Sequence, residues 1–120
     1  MVHASGGAAV DAVVRERGRG AEITVETCPH YLLFDEADFA RLGPALKCAP
    51  PVRDIVAREA LWRRLMEGTI DAVASDHSPC PPDHKRRGDD DIWLAWGGVA
   101  GIQSTLPAML AEGVHRRGLP

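Results

Sequence analysis

Short apolar runs alternate with amphipathic stretches along the 120 residues, and this alternation limits the fold more than any other feature. Ser5 stands as a cap before a helix expected over Ala8 to Arg17, with Ala9, Val10, Val13 and Val14 on one face and Gly18 and Gly20 as its stop. From Ala21 to Glu26 the apolar residues fall at every second position, the period of a strand. Asp35 opens a short helix that ends near Gly43-Pro44. Ala45 to Cys48 is a short apolar piece that Pro50-Pro51 prevents from continuing as a central strand. Asp54 caps a helix expected to run to Glu67, with Ile55, Leu61, Leu65 and Met66 inward and Gly68 closing it. Thr69 to Ser75 reads as a buried strand and Ser78 to Asp91 as an exposed loop. The last helix is expected from Val99 to Val114, with Ile102, Leu106, Met109 and Leu110 on one side and a kink at Pro107. Strand-helix repetition of this kind is the rhythm of βαβ units and hence of a parallel sheet, so the fold class is α/β.

Size and charge set the outer limits. A self-contained (β/α)₈ barrel takes about 250 residues and rarely fewer than about 200, so 120 residues are too few to close one. Met1-Val2-His3 reads as the end of a strand, and Leu119-Pro120 follows directly on a helix, so the expectation is a piece of something larger. Fourteen Lys and Arg against seventeen Asp and Glu give a net charge of -3, which offers nothing to a phosphate backbone or an anionic bilayer. Nucleic acid and membrane are therefore not expected partners. Cys28, Cys48 and Cys80 form no CxxC pair and read as reduced thiols of a cytoplasmic chain.

Three polar residues, His3, His30 and Asp76, each follow an expected strand and open the loop beyond it. In parallel α/β architectures catalytic groups gather at those carboxyl ends, because the loops there converge on one mouth. Two imidazoles and a carboxylate suit a catalytic Zn²⁺ that keeps an open position for water. The same placement also fits a terminal histidine, a turn histidine after Pro29 and a capping aspartate, and spacing alone does not separate the two readings.

Whole phrases carry more information than spacing. Thr27-Cys28-Pro29-His30-Tyr31-Leu32, Lys47-Cys48-Ala49-Pro50-Pro51-Val52-Arg53 and Ser75-Asp76-His77-Ser78-Pro79-Cys80-Pro81 resemble the cyclic amidohydrolase superfamily. Trp96-Gly97-Gly98-Val99-Ala100-Gly101-Ile102-Gln103 completes the set. Within the superfamily, the segments around Asp76 and Trp96 are most similar to the allantoinase family. Dihydropyrimidinases, hydantoinases and dihydroorotases differ around the aspartate.

The resemblance implies a metal-bearing (β/α)₈ barrel, of which residues 1–120 would form the C-terminal half, about the last four strand-helix units. His3, His30 and Asp76 match metal ligands of the family. Asp76 is also implied as the catalytic proton shuttle, and the Ala49 backbone as a contact to the substrate ring. The family's His-x-His pair and carboxylated lysine have no counterpart, and Lys47 does not match the latter, so it reads as structural. His77 reads either as a group orienting Asp76 or as a loop histidine, and His84 and His115 as surface residues. No base is paired with the three cysteines, so they are not expected to act as nucleophiles. The implied chemistry is hydrolysis of the ring amide of allantoin, a small molecule, to allantoate. Two Zn or Co ions per complete site would lower the pKa of water, and the complete enzyme would be a homotetramer. This chain by itself would hold at most one weakly bound ion and be inactive. A dihydropyrimidinase or hydantoinase, or a non-catalytic scaffold of the superfamily, are the alternative readings.

Overall fold

The computed structural model describes residues 1–120. Helix α1 (Gly7–Gly18) leads to β1 (Glu26–Thr27), α2 (Pro29–Leu33) and α3 (Glu36–Leu42). A 3₁₀ turn (Gly43–Leu46) and α4 (Ile55–Met66) precede β2 (Ala72–Val73). Then follow α5 (Pro82–Arg86), a 3₁₀ turn (Ile92–Leu94), α6 (Ile102–Ala108) and a π-helical segment (Met109–Arg116). No helix is long and apolar enough to cross a membrane.

β1 and β2 pair in parallel, Glu26 with Ala72 and Thr27 with Val73. Residues 1–4 run along the other side of β1. There Glu26 N–H donates to the Met1 carbonyl at 3.0 Å and Ala4 N–H donates to the Glu26 carbonyl at 2.9 Å. Three parallel extended segments therefore lie side by side and all end at one edge. The expectation of about four strands is corrected to these three, together with a single parallel bridge between His77 and Val99. The fourth fails because Gly43-Pro44-Ala45-Leu46 winds into a 3₁₀ turn.

The strands are shorter than the alternation implies because side chains take over the outer part of the ladder. The Asp71 carboxylate accepts from Val25 N–H at 2.7 Å, and Arg17 donates to the Ile23 and Thr69 carbonyls at 2.8 and 3.0 Å. Arg17 also pairs with Asp71. Together these two contacts hold the Asp71 carboxyl below its ordinary range, the Val25 amide being the larger cause.

Helices α1 and α4 cross on one face of this sheet. Val10 and Val13 of α1 meet Leu61 and Trp62 of α4 in a core shared with Val25, Tyr31, Leu32 and Ile70. The Trp62 indole N–H donates to the Leu32 carbonyl at 2.7 Å, so the largest core side chain has its polar atom satisfied. Asp35 and Asp54 cap α3 and α4 as expected, accepting from Ala37 N–H at 2.9 Å and Ala57 N–H at 2.8 Å.

Other expectations change. Ser5 does not cap α1, because Gly6 is the N-cap and the Ser5 hydroxyl accepts from Arg53 Nε at 3.1 Å. Ile55 and Met66 are exposed, and Trp62 takes the inward place on α4. Residues 78–91, expected as loop, contain α5. The last helix begins at Ile102 instead of Val99, since Val99 is engaged in the bridge to His77. At Pro107 the helix does not simply bend. The proline has no N–H to donate, and the hydrogen bonding passes to π spacing from Met109.

Candidate metal centre

The common edge of the three parallel segments brings His3 and Asp76 together. His3 Nε2 lies 3.6 Å from Asp76 Oδ1 and 3.9 Å from Glu26 Oε1. Both His3 and Asp76 hold left-handed backbone, with φ of 54° and 44°, the only non-glycine residues that do. Such a conformation costs a side-chain-bearing residue of order 1–3 kcal/mol and persists where the surroundings impose it. Here it turns each side chain out of its strand and toward the other. The Thr27 hydroxyl fixes this edge by donating to the Ala4 carbonyl at 2.7 Å.

Cys28 follows β1 and is the N-cap residue of α2. Its thiol is completely buried, whereas His3 and Asp76 are partly exposed. Donor atoms of His3, Cys28 and Asp76 all lie within 4.8 Å of one another. Burial, reinforced by the Asp76 and Glu26 charges and by Cys48, pushes the Cys28 thiol up to about 12, so it is neutral at ordinary pH.

His30 is in the first turn of α2 and only 4% exposed. Its Nε2 has no hydrogen-bond partner and points toward Asp76, 4.0 Å from Oδ2. Burial lowers its pKa, against the opposing pull of the Asp76 charge. The Tyr31 ring packs against it at 4.1 Å between centroids. The structure thus gathers His3, His30 and Asp76 at one edge, with the Cys28 thiol within 4.8 Å of the His3 and Asp76 donors. The sequence signal for Cys28 was its position directly after a strand, as for the other two.

The remaining residues separate by role. Ala49 is exposed beside an apolar groove of about 670 Å³ lined by Phe39, Leu46, Cys48, Val52 and Trp93. The Lys47 ammonium donates to the Trp93 and Ala95 carbonyls at 2.9 and 2.7 Å, a structural clamp on the loop before the last helix. Lys85 reinforces it with bonds to the Lys47 and Trp96 carbonyls, both at 2.9 Å. His77 does not face Asp76; its Nδ1 accepts from Ile102 N–H at 3.2 Å, at the start of α6. His115 is exposed and His84 half-buried.

No family model matches the chain. Allantoinases of Rubrobacter xylanophilus and Deinococcus radiodurans are each 52% identical to it over 120 residues, 100% of this chain and 26% of theirs. Along its whole length the chain resembles allantoinase. The allantoinase of Escherichia coli K12 is 43% identical over 119 residues. The chain spans about a quarter of the length of these allantoinases.

Among solved structures, an L-hydantoinase from Arthrobacter aurescens superposes with a TM-score of 0.94 at 36% identity, covering 98% of this chain and 26% of that one. A D-hydantoinase from Thermus gives 0.92 at 29%, covering 99% and 27%.

Proposed function

We propose that this chain forms a section of a metal-dependent (β/α)₈ barrel and contributes ligands to a centre that hydrolyses the ring amide of allantoin. The observation that carries the reading is the 3.6 Å approach of His3 Nε2 to Asp76 Oδ1 at neighbouring parallel segment ends. Ligands about 2.1 Å from a tetrahedral ion lie roughly 3.4 Å apart, so the pair has the separation that one divalent cation needs. When bound, the ion polarises a carbonyl and lowers the pKa of water.

The side chains then divide the work. His3 holds the ion through Nε2. Asp76 holds it with one oxygen, while the other takes a proton from the attacking water and returns it to the departing ring nitrogen. His30, buried with an unpartnered Nε2 4.0 Å from Asp76 Oδ2, supplies the second imidazole of the centre. Allantoin is favoured over hydantoin by the 52% identity to allantoinases against 36% to the hydantoinase. The near-complete superposition on that hydantoinase keeps a hydantoin substrate as the second reading.

A chimaera tests the proposal. This chain replaces the matching quarter of the Rubrobacter xylanophilus allantoinase, and ring opening of allantoin, hydantoin and dihydrouracil is measured with Zn²⁺ or Co²⁺. Allantoin is expected to be the preferred substrate. Preference for hydantoin would transfer the proposal to the second reading, and a folded chimaera inert toward all three would refute both. In the same protein, His30→Asn is expected to lose metal along with activity, and a folded variant that keeps its full metal content would remove His30 from the ligand set.

A further inference from the structure

We propose that Tyr31 and Lys85 are positioning residues for the substrate, fixing residues 47–50 from both ends so that the backbone of Ala49 is presented to the ring amide. The proposal rests on the hydrolase reading above and adds to it the groups that hold the substrate-facing backbone. Three observations carry it. The Tyr31 hydroxyl donates to the Pro50 carbonyl at 2.8 Å, directly after Ala49. The Lys85 ammonium donates to the Lys47 carbonyl at 2.9 Å, two residues before Ala49, where Gly98 N–H also donates at 3.0 Å. Between these anchored carbonyls Ala49 is exposed, and neither its N–H nor its carbonyl bonds to another group of the chain.

Tyr31 also ties this segment to His30. Its side chain is 1% exposed, and its ring lies 4.1 Å from the His30 imidazole between centroids. The hydroxyl that holds Pro50 and the ring that packs on His30 therefore belong to one rigid group. Pro50, and with it Ala49, is held about one tyrosine side chain away from the imidazole. A cyclic amide carries an N–H and a C=O of the peptide kind, so a backbone donor and acceptor without internal partners complement it. Such a backbone contributes fully only when its position is set in advance, because ordering it at binding subtracts from affinity. Tyr31 and Lys85 each act through a carbonyl of the segment, not on the reacting atoms.

Both residues are tested in the chimaera, with whichever of the three rings it opens best. Tyr31→Phe removes one oxygen and leaves the ring against His30. Lys85→Met removes the ammonium at the other end of the segment. Each is expected to raise KM about tenfold, the worth of one hydrogen bond to the substrate, with kcat and metal content little changed. Loss of a contact made equally in ground and transition states has that signature. A purely structural role predicts instead a lower melting temperature with KM intact for the folded enzyme. Lys85→Met alters a half-buried side chain and decides the matter if Tyr31→Phe does not fold. An unchanged KM in a folded variant, or metal lost from Tyr31→Phe, would overturn the inference, while turnover by the unsubstituted chimaera leaves the proposed function standing. A chimaera inert toward every ring would overturn both.

Discussion

Asp76 occupies a backbone conformation that few aspartates adopt, and it faces His3, His30 and Cys28 at once. A cap needs no such arrangement. In the chimaera, Asp76→Asn is expected to keep an oxygen for the metal but lose the proton acceptor. Proton transfer of this kind contributes about 10²–10⁴-fold to rate, so turnover should fall by at least 10²-fold while metal content and melting temperature change little. If Asp76 were only a cap, stability would fall by about 1 kcal/mol with turnover per folded molecule intact. Measuring metal, melting and turnover on one preparation separates the two cases.

At the level of elements, the crossing of α1 and α4 sets how the sheet edge is presented. A Cβ added at Gly7 would sit 2.6 Å from the Ala60 Cβ and 3.2 Å from the Ala60 carbonyl carbon. Replacing a helical glycine by alanine ordinarily gains up to about 1 kcal/mol. Overpacking against a rigid neighbour costs about 1–3 kcal/mol, so the steric effect wins and Gly7→Ala should lower the melting temperature of the chimaera. An unchanged or raised midpoint would show that the helices can separate freely.

The π-helical end is tied down differently. Arg117 donates two hydrogen bonds of 2.8 Å to Glu59 on α4 and lies 4.6 Å from the centre of the Trp62 ring. Arg117 holds the Glu59 carboxyl below its ordinary value of 4.5. Between that depressed value and 4.5 the unfolded chain binds more protons than the folded one, so stability rises with pH across this window. The contribution is complete above 4.5 and is lost as the pH falls through the depressed value. Water around this part-exposed pair keeps the effect small. Amide protection factors over residues 109–117 should fall on acidification through this window, and Glu59→Gln should show the lower protection already at neutral pH. A Gln variant indistinguishable from wild type at neutral pH would remove the pair from the account.

For the whole molecule the balance of surface matters most. Only 22 of 120 residues are buried, while Trp93 is 83% and Leu106 67% exposed, with Leu94, Trp96, Ile102 and Leu110 also open to solvent. The radius of gyration of 14.9 Å exceeds the roughly 13.6 Å expected for a compact domain of this length. Apolar surface of this extent favours association. The chain alone is expected to self-associate or to unfold over a broad transition, and to hydrolyse no allantoin with added Zn²⁺ or Co²⁺. Light scattering, a denaturant titration and an assay against the metal-only blank check these outcomes. A monodisperse monomer with a sharp transition, or turnover above the blank, would count against them.

Local chemistry was legible in the sequence where it depends on neighbours in the chain. Caps at Asp35 and Asp54 are local, because a side-chain oxygen reaches an amide two or three residues on. The alternation around Val25 and the apolar run to Ser75 located the parallel segments, since strand period is written in consecutive residues. Whole phrases around Cys28, Asp76 and Trp96 carried the family resemblance in the same way. Contacts between distant residues were not legible. Arg17 meets Asp71 across 54 positions and thereby shortens both strands, and His77 reaches Ile102 instead of the adjacent Asp76. Which residues share the site was decided there too. His30 and Cys28 are two positions apart, and the turn from β1 into α2 brings the thiol within 4.8 Å of the His3 and Asp76 donors and the imidazole Nε2 to 4.0 Å from Asp76. Such choices depend on which backbones pack together in space, and one strand or turn does not encode them.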